Sequence, residues 1–174
     1  MDQKPLVGIV MGSDSDLPVM AEATAVLEEF GVAYEISVAS AHRAPALVHE
    51  YSTGAAARGI KVMMAAAGGA AHLAGVVSAV TTLPVIAVPI KAKTLDGLDS
   101  LLSMVQMPPG IPVACVGINA AKNAGLLAVQ ILATSDASLT QKLADYKKKM
   151  ASDITTKNEK LHSLGVKGYL EGQK

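Results

Sequence analysis

The chain has 174 residues, enough for one domain with a single sizeable core plus extensions and too few for two ordinary domains. Fifteen Lys and Arg balance fifteen Asp and Glu, so no bulk charge concentrates nucleic acid or an anionic membrane, and an anionic ligand needs a local site. Cys115 is the only cysteine, which excludes an intrachain disulfide framework and suits the cytoplasm; it reads as a small buried strand residue, not a nucleophile.

Met1 to Pro5 carries no basic leader and no cleavage pattern. The apolar run Leu6 to Met11 predicts a first strand. Asp16 as N-cap and Pro18 in the first turn then open a helix whose buried face is Val19, Ala23, Val26, Leu27 and Phe30, stopped by Gly31. A second strand is expected at 33–39, a loop at 40–44, and a helix from Pro45 to Arg58 ended by Gly59.

Residues 62–90 carry no formal charge, a stretch longer than the ~20 residues that cross a bilayer. Gly68, Gly69, His72 and Pro84 break it, so it reads as strand three (Val62 to Ala67), a helix after His72, and strand four (Val85 to Val88). A short helix at Leu98 to Val105, a fifth strand at Val113 to Ile118, and a helix at Ala120 to Ala133 follow. A longer helix over 137–164 carries Leu139, Leu143, Tyr146, Met150, Leu161 and Leu164, an apolar stripe with nothing of its own chain left to cover. Buried strands alternating with amphipathic helices predict a doubly wound α/β sheet over residues 1–135, with 136–174 as a helical extension packing on neighbouring subunits.

Ligands of such sheets sit beyond the carboxyl ends of the strands, where the strand order reverses, so the loops after strands one, two and three belong together. Gly12-Ser13-Asp14-Ser15-Asp16 offers close backbone approach, two hydroxyls and the amides of a helix N-terminus suited to phosphate. Alone it is equally a set of capping residues. Ser40-Ala41-His42-Arg43 places an imidazole, a group that ordinarily titrates near ~6.5, beside a guanidinium able to grip phosphate in bidentate fashion. Gly68-Gly69-Ala70-Ala71-His72-Leu73 has no bulky side chain at the strand end, so a planar ligand can lie against backbone.

Absences narrow the class. A phospho-receiver of this architecture needs an aspartate ending strand three, where Ala67-Gly68-Gly69 stand, and Lys122 is the one suggestive match. A flavin normally stacks on aromatics, whereas the chain has no Trp, one Phe and four Tyr, the tyrosines outside the site loops. No pair of His or Cys has metal-ligand spacing, so no metal is expected.

The segments Met11 to Asp16, Ser40 to Arg43, Gly68 to Leu73 and Asp99-Ser100-Leu101-Leu102-Ser103-Met104-Val105-Gln106-Met107-Pro108 resemble the PurE family, the similarity running from residue 5 to about 135. The resemblance implies a flavodoxin-like three-layer αβα sandwich around a parallel five-stranded sheet. It also implies octameric assembly through the C-terminal helix, and interconversion of carboxylated aminoimidazole ribonucleotides without metal or cofactor. Of the family's two branches, Arg43 and His72 favour the mutase, an isomerase of purine biosynthesis that turns the N5-carboxylate into the carbon-4 carboxylate. The alternatives are the direct carboxylase, which takes carbon dioxide, and a nucleotide-phosphate binding module.

By position the resemblance assigns phosphate to Ser13, Ser15 and Arg43 and the ribose hydroxyls to Asp16. Proton transfer falls to His42. Orientation of the ring and carboxylate falls to His72 and the Gly68-Gly69 backbone, and Gly12, Ser40, Ala41, Ala70 and Leu73 are further substrate-binding residues. Residues 89–97, with Lys91 and Lys93, form either a lid or a plain surface loop.

Overall fold

A computed structural model describes residues 4–172; Met1 to Gln3, part of the segment expected to carry no leader, lie outside them. The chain divides into two compact units, with the boundary after Leu132.

In the first unit β1 (Val7–Met11), β2 (Tyr34–Val38), β3 (Val62–Gly68), β4 (Val85–Ile90) and β5 (Ala114–Cys115) form one parallel sheet in the order β2-β1-β3-β4-β5. β1 and β4 are buried at every position and β3 at all but Gly68. Central parallel strands covered on both faces read as unbroken apolar runs for this reason. β2, at an edge, is only half-buried.

The helices are α1 (Leu17–Phe30), α2 (Pro45–Thr53), α3 (Ala55–Arg58), α4 (Leu73–Val80), α5 (Leu98–Val105) and α6 (Ala121–Ala133). The buried face of α1 is Met20, Ala23, Val26, Leu27 and Phe30, with Val19 on its flank, because Met20 holds the 3-4-3 spacing with Ala23, Leu27 and Phe30. The helix expected from Pro45 to Arg58 breaks at Gly54. A Cβ there would stand 2.8 Å from Arg58 Nη1, and the guanidinium that fills this space donates to the Tyr51 carbonyl and to Glu35 on β2. The fifth strand is shorter than the expected 113–118, since Pro112 precedes it and Asn119, at φ 55°, turns the chain back. The uncharged stretch 62–90 is β3, α4 and β4, and among the described residues no helix is long and apolar enough to cross a membrane.

Gly125 marks where α6 meets α1. A Cβ on it would lie 2.9 Å from Val26 Cβ and 3.0 Å from the Ala23 carbonyl oxygen, and the latter is backbone that cannot swing away. Overpacking costs about 1–3 kcal/mol and the gain in helix propensity from Gly to Ala returns about 1 kcal/mol. Gly125→Ala is therefore expected to destabilise by about 1 kcal/mol, and Gly125→Val, with less propensity gain and more bulk, by about 3 kcal/mol. Urea unfolding midpoints check the order.

The second unit is α7 (Ala137–Glu171), longer than the expected 137–164. Asp136 caps it, accepting from the Ser138 hydroxyl at 2.6 Å and from the Ser138 and Leu139 amides at 2.8 and 3.2 Å; the hydroxyl first, with the amides, holds its carboxyl below the ordinary range. Gly165 leaves helical geometry at φ 64° and ψ 174°, after which the helix resumes. Met150, Ile154, Leu161 and Leu164 are exposed on it.

Candidate active site

β1 and β3 are neighbours, and their chains leave the sheet toward opposite faces, which opens a crevice at their carboxyl ends. The Gly12 amide still donates to the Ala66 carbonyl at 3.0 Å, so the first loop starts flush with β3. Ser13, in extended conformation, accepts from the Ser15 amide at 3.3 Å and starts a single tight turn, Asp14–Asp16, that runs into α1. Ser15 Oγ donates to Ser13 Oγ at 2.9 Å. Two hydroxyls and a helix N-terminus thus face one point.

Asp16 corrects an expectation. It stands at the N-cap position of α1, but its side chain makes no capping bond, because Ser13 caps the preceding turn and the Asp16 backbone is already helical. Its carboxylate is instead buried beside Ser15 Oγ at 3.4 Å. Burial pushes this carboxyl above its ordinary pKa, against the lowering effect of bonds from the Ser13 backbone and Ser15 hydroxyl. A raised folded-state pKa means the folded protein binds more protons than the unfolded one, so stability declines as pH climbs above the usual carboxylate range. Asp16→Asn is expected to raise the Tm at pH 7, with the gap to the parent closing as pH falls toward ~4. A thermal unfolding series across pH reads it, and an equal gap at all pH would refute the burial cost.

The second loop closes on itself and on the first. Ser40 Oγ accepts from both the Arg43 amide and Nε at 3.3 Å, and Arg43 Nη2 donates to the Gly12 carbonyl at 3.0 Å. The guanidinium is therefore tied to the first loop at Gly12, and Arg43 is exposed.

The third loop turns through Gly69 at φ 66° and Ala71 at φ 46° before α4. Glycine enters the left-handed region without the penalty a Cβ imposes, and this turn brings His72 to the head of α4. His72 Nδ1 is 2.8 Å from His42 Nε2, with the rings 89° apart. One nitrogen must carry hydrogen and the other a lone pair. The contact swings His42 from the β2 loop toward the end of β3.

Together the loops bound a cavity of about 760 Å³, in the range of small-molecule sites. Of the residues singled out in the sequence, Gly12, Ser13, Ser15, Asp16, Ser40, Ala41, His42, Arg43, Gly68, Gly69 and Leu73 line it. Ala70 and His72 do not: Ala70 is exposed beside the turn, and His72 is held behind His42. The wall also includes Ala67, Ala71, Ile90, Lys91, Ala92 and Lys93. Ile90, which ends β4, and the Lys91-Ala92-Lys93 segment after it were named from the sequence only within the 89–97 lid or surface loop, because chain order does not show that β4 lies next to β3. Cys115 is half-buried on β5, where burial raises its thiol pKa.

A parallel β2-β1-β3-β4-β5 sheet with hydroxyls, a guanidinium and an imidazole gathered at the reversal of strand order defines a flavodoxin-like α/β protein with a pocket suited to a phosphorylated small molecule. The family model described as AIR carboxylase matches residues 6–153, and the chain belongs to that family. It is 60% identical to the N5-carboxyaminoimidazole ribonucleotide mutase of Pyrococcus abyssi, over 97% of each chain. It is 57% identical to the mutase of Pyrococcus horikoshii, over 97% of this chain and 95% of the relative. The crystal structure of Treponema denticola PurE superposes with a TM-score of 0.84 at 32% identity, covering 90% of this chain and 98% of that one.

Proposed function

We propose that the chain is a mutase of purine biosynthesis that converts N5-carboxyaminoimidazole ribonucleotide into 4-carboxy-5-aminoimidazole ribonucleotide, with His42 as acid and base. The convergence of the three loops on one cavity carries this, with phosphate-binding groups at the β1 and β2 end and an imidazole over a glycine floor at the β3 end. Relatives of that name at 57 and 60% identity support it.

Ser13, Ser15 and Arg43 hold the phosphate and the Asp16 carboxylate accepts from the ribose hydroxyls. The imidazole ring lies on Gly68 and Gly69, between Leu73 and the Ser40-Ala41 backbone. The bond from the exocyclic nitrogen to the carboxyl carbon breaks, releasing carbon dioxide and leaving its electron pair on nitrogen, which takes a proton. Carbon 4 attacks the trapped carbon dioxide and then loses its own proton. One proton is given and one recovered, so a single group that donates and then accepts closes the cycle, and His42 is that group. His72 orients His42 through the 2.8 Å bond. The held carbon dioxide reacts because its effective concentration far exceeds that in solution.

The working form is a homo-octamer in the cytoplasm, residues 1–135 forming the catalytic domain and 136–174 an extension packed on neighbouring subunits. The exposed Met150, Ile154, Leu161 and Leu164 and the free Cys115 favour this. Sedimentation equilibrium is expected to give eight chain masses. Conversion of the N5-carboxylated ribonucleotide without ATP tests the reaction. Turnover of that substrate supports the mutase, turnover only of aminoimidazole ribonucleotide with bicarbonate makes it a direct carboxylase, and silence with both leaves a binding protein.

A further inference from the structure

Three cationic side chains, Arg43, Lys91 and Lys93, line the cavity against one carboxylate, Asp16. They are spread across the sheet. Arg43 stands at the β1 and β2 end, tied to Gly12 and Ser40, while the two lysines leave β4 on the far side of β3. The register places Ile90 beside Gly68, and a Cβ on Gly68 would lie 3.2 Å from the Ile90 carbonyl oxygen and 3.7 Å from Ala92 Cβ. Lys91-Ala92-Lys93 therefore runs along the edge of the glycine floor, on the side away from Arg43.

The two lysines are not equivalent. Lys91 Nζ pairs with Asp96 at 2.9 Å, and the Lys91 amide donates to Asn119 Oδ1 at 2.8 Å. The loop's feet are fixed further by Ser100 Oγ, buried and bonded to the Ile90 and Gly97 carbonyls. Lys93 forms no ion pair among the described residues and is exposed at the cavity wall.

We infer that Lys93 is the specificity determinant for the migrating carboxylate, its ammonium meeting that group at the end of the cavity opposite the phosphate. This rests on the mutase assignment above, in which a ligand anionic at both ends spans the site. Arg43 answers one end, Lys91 is already matched by Asp96, and the β4 end has Lys93 left for the other. A lysine ammonium is a compact charge that follows a moving partner on a flexible stem, which suits a carboxylate that changes its attachment from nitrogen to carbon.

Titration calorimetry with two ligands that differ only in the carboxylate tests it: 4-carboxy-5-aminoimidazole ribonucleotide and aminoimidazole ribonucleotide, each on the parent protein, Lys93→Met and Lys93→Arg. Lys93→Met is expected to weaken the carboxylated ligand about tenfold and the uncarboxylated one less than twofold, with most of the loss restored in Lys93→Arg. Equal weakening of both ligands would assign the charge to the phosphate or to general attraction and overturn the inference, as would no weakening of either. A parent protein that binds neither ligand would overturn the mutase assignment and the inference with it.

Discussion

His42→Asn is expected to lower kcat for the N5-carboxylated ribonucleotide by about 10²–10⁴-fold, the usual contribution of a positioned acid and base, while ribonucleotide affinity stays within a few-fold of the parent. The two effects separate because the groups proposed to hold the phosphate are fixed by partners other than His42: Ser15 bonds Ser13, and Arg43 bonds Ser40 and Gly12. Asparagine keeps a polar group near the imidazole position but cannot carry a proton near neutral pH. His72→Asn gives the contrast. It leaves the His42 imidazole in the site but without its 2.8 Å partner, so kcat is expected to fall by less than in His42→Asn. Single-turnover rates with saturating substrate, beside direct binding measurements, make the comparison. Unchanged turnover in His42→Asn would remove this residue from the chemistry, and a collapse of affinity would make it a binding residue.

The fold was legible where burial is complete. Val7 to Met11, Val62 to Ala67 and Val85 to Val88 are apolar on both faces because helices cover both faces, and that leaves an unbroken run in the chain. β5 was less so. Val113 to Ile118 has the same apolar character, but an edge strand is limited by its hydrogen bonding, and the ladder holds only at Ala114 and Cys115. The Gly54 break was hidden because it depends on a guanidinium returning from Arg58 to Tyr51 and Glu35, two of its partners lying on different elements. Asp16 misled because aspartate before a helix is ordinarily a cap, and only its burial shows that the carboxylate has turned inward. Most of the cavity could be assembled from loops at strand ends. Lys91 and Lys93 could be named but not placed, since the adjacency of β4 to β3 is a property of the sheet and not of the local sequence.

Arg43→Met is expected to raise KM for the ribonucleotide about 100-fold, with kcat falling less than tenfold. A charge-assisted bond is worth about 1.5–3 kcal/mol, and a planar fork makes two to a phosphate, so the binding loss approaches the upper end of that range. A phosphate remote from the reacting atoms is held equally in ground and transition states, which puts the loss in KM. Some effect on kcat follows from the chain itself. Arg43 is the neighbour of His42, and its bond to the Gly12 carbonyl ties the second loop to the first, so methionine loosens the backbone that carries the imidazole. Arg43→Lys separates the two contributions. It restores charge but not the fork, so KM is expected to recover only in part. Steady-state kinetics at two ionic strengths read both variants, because a lysine acting as a point charge at this exposed position loses its benefit in salt sooner than a bidentate contact does. An unchanged KM in Arg43→Met would take the guanidinium out of the phosphate site and leave the serines and the helix N-terminus to hold the anion alone.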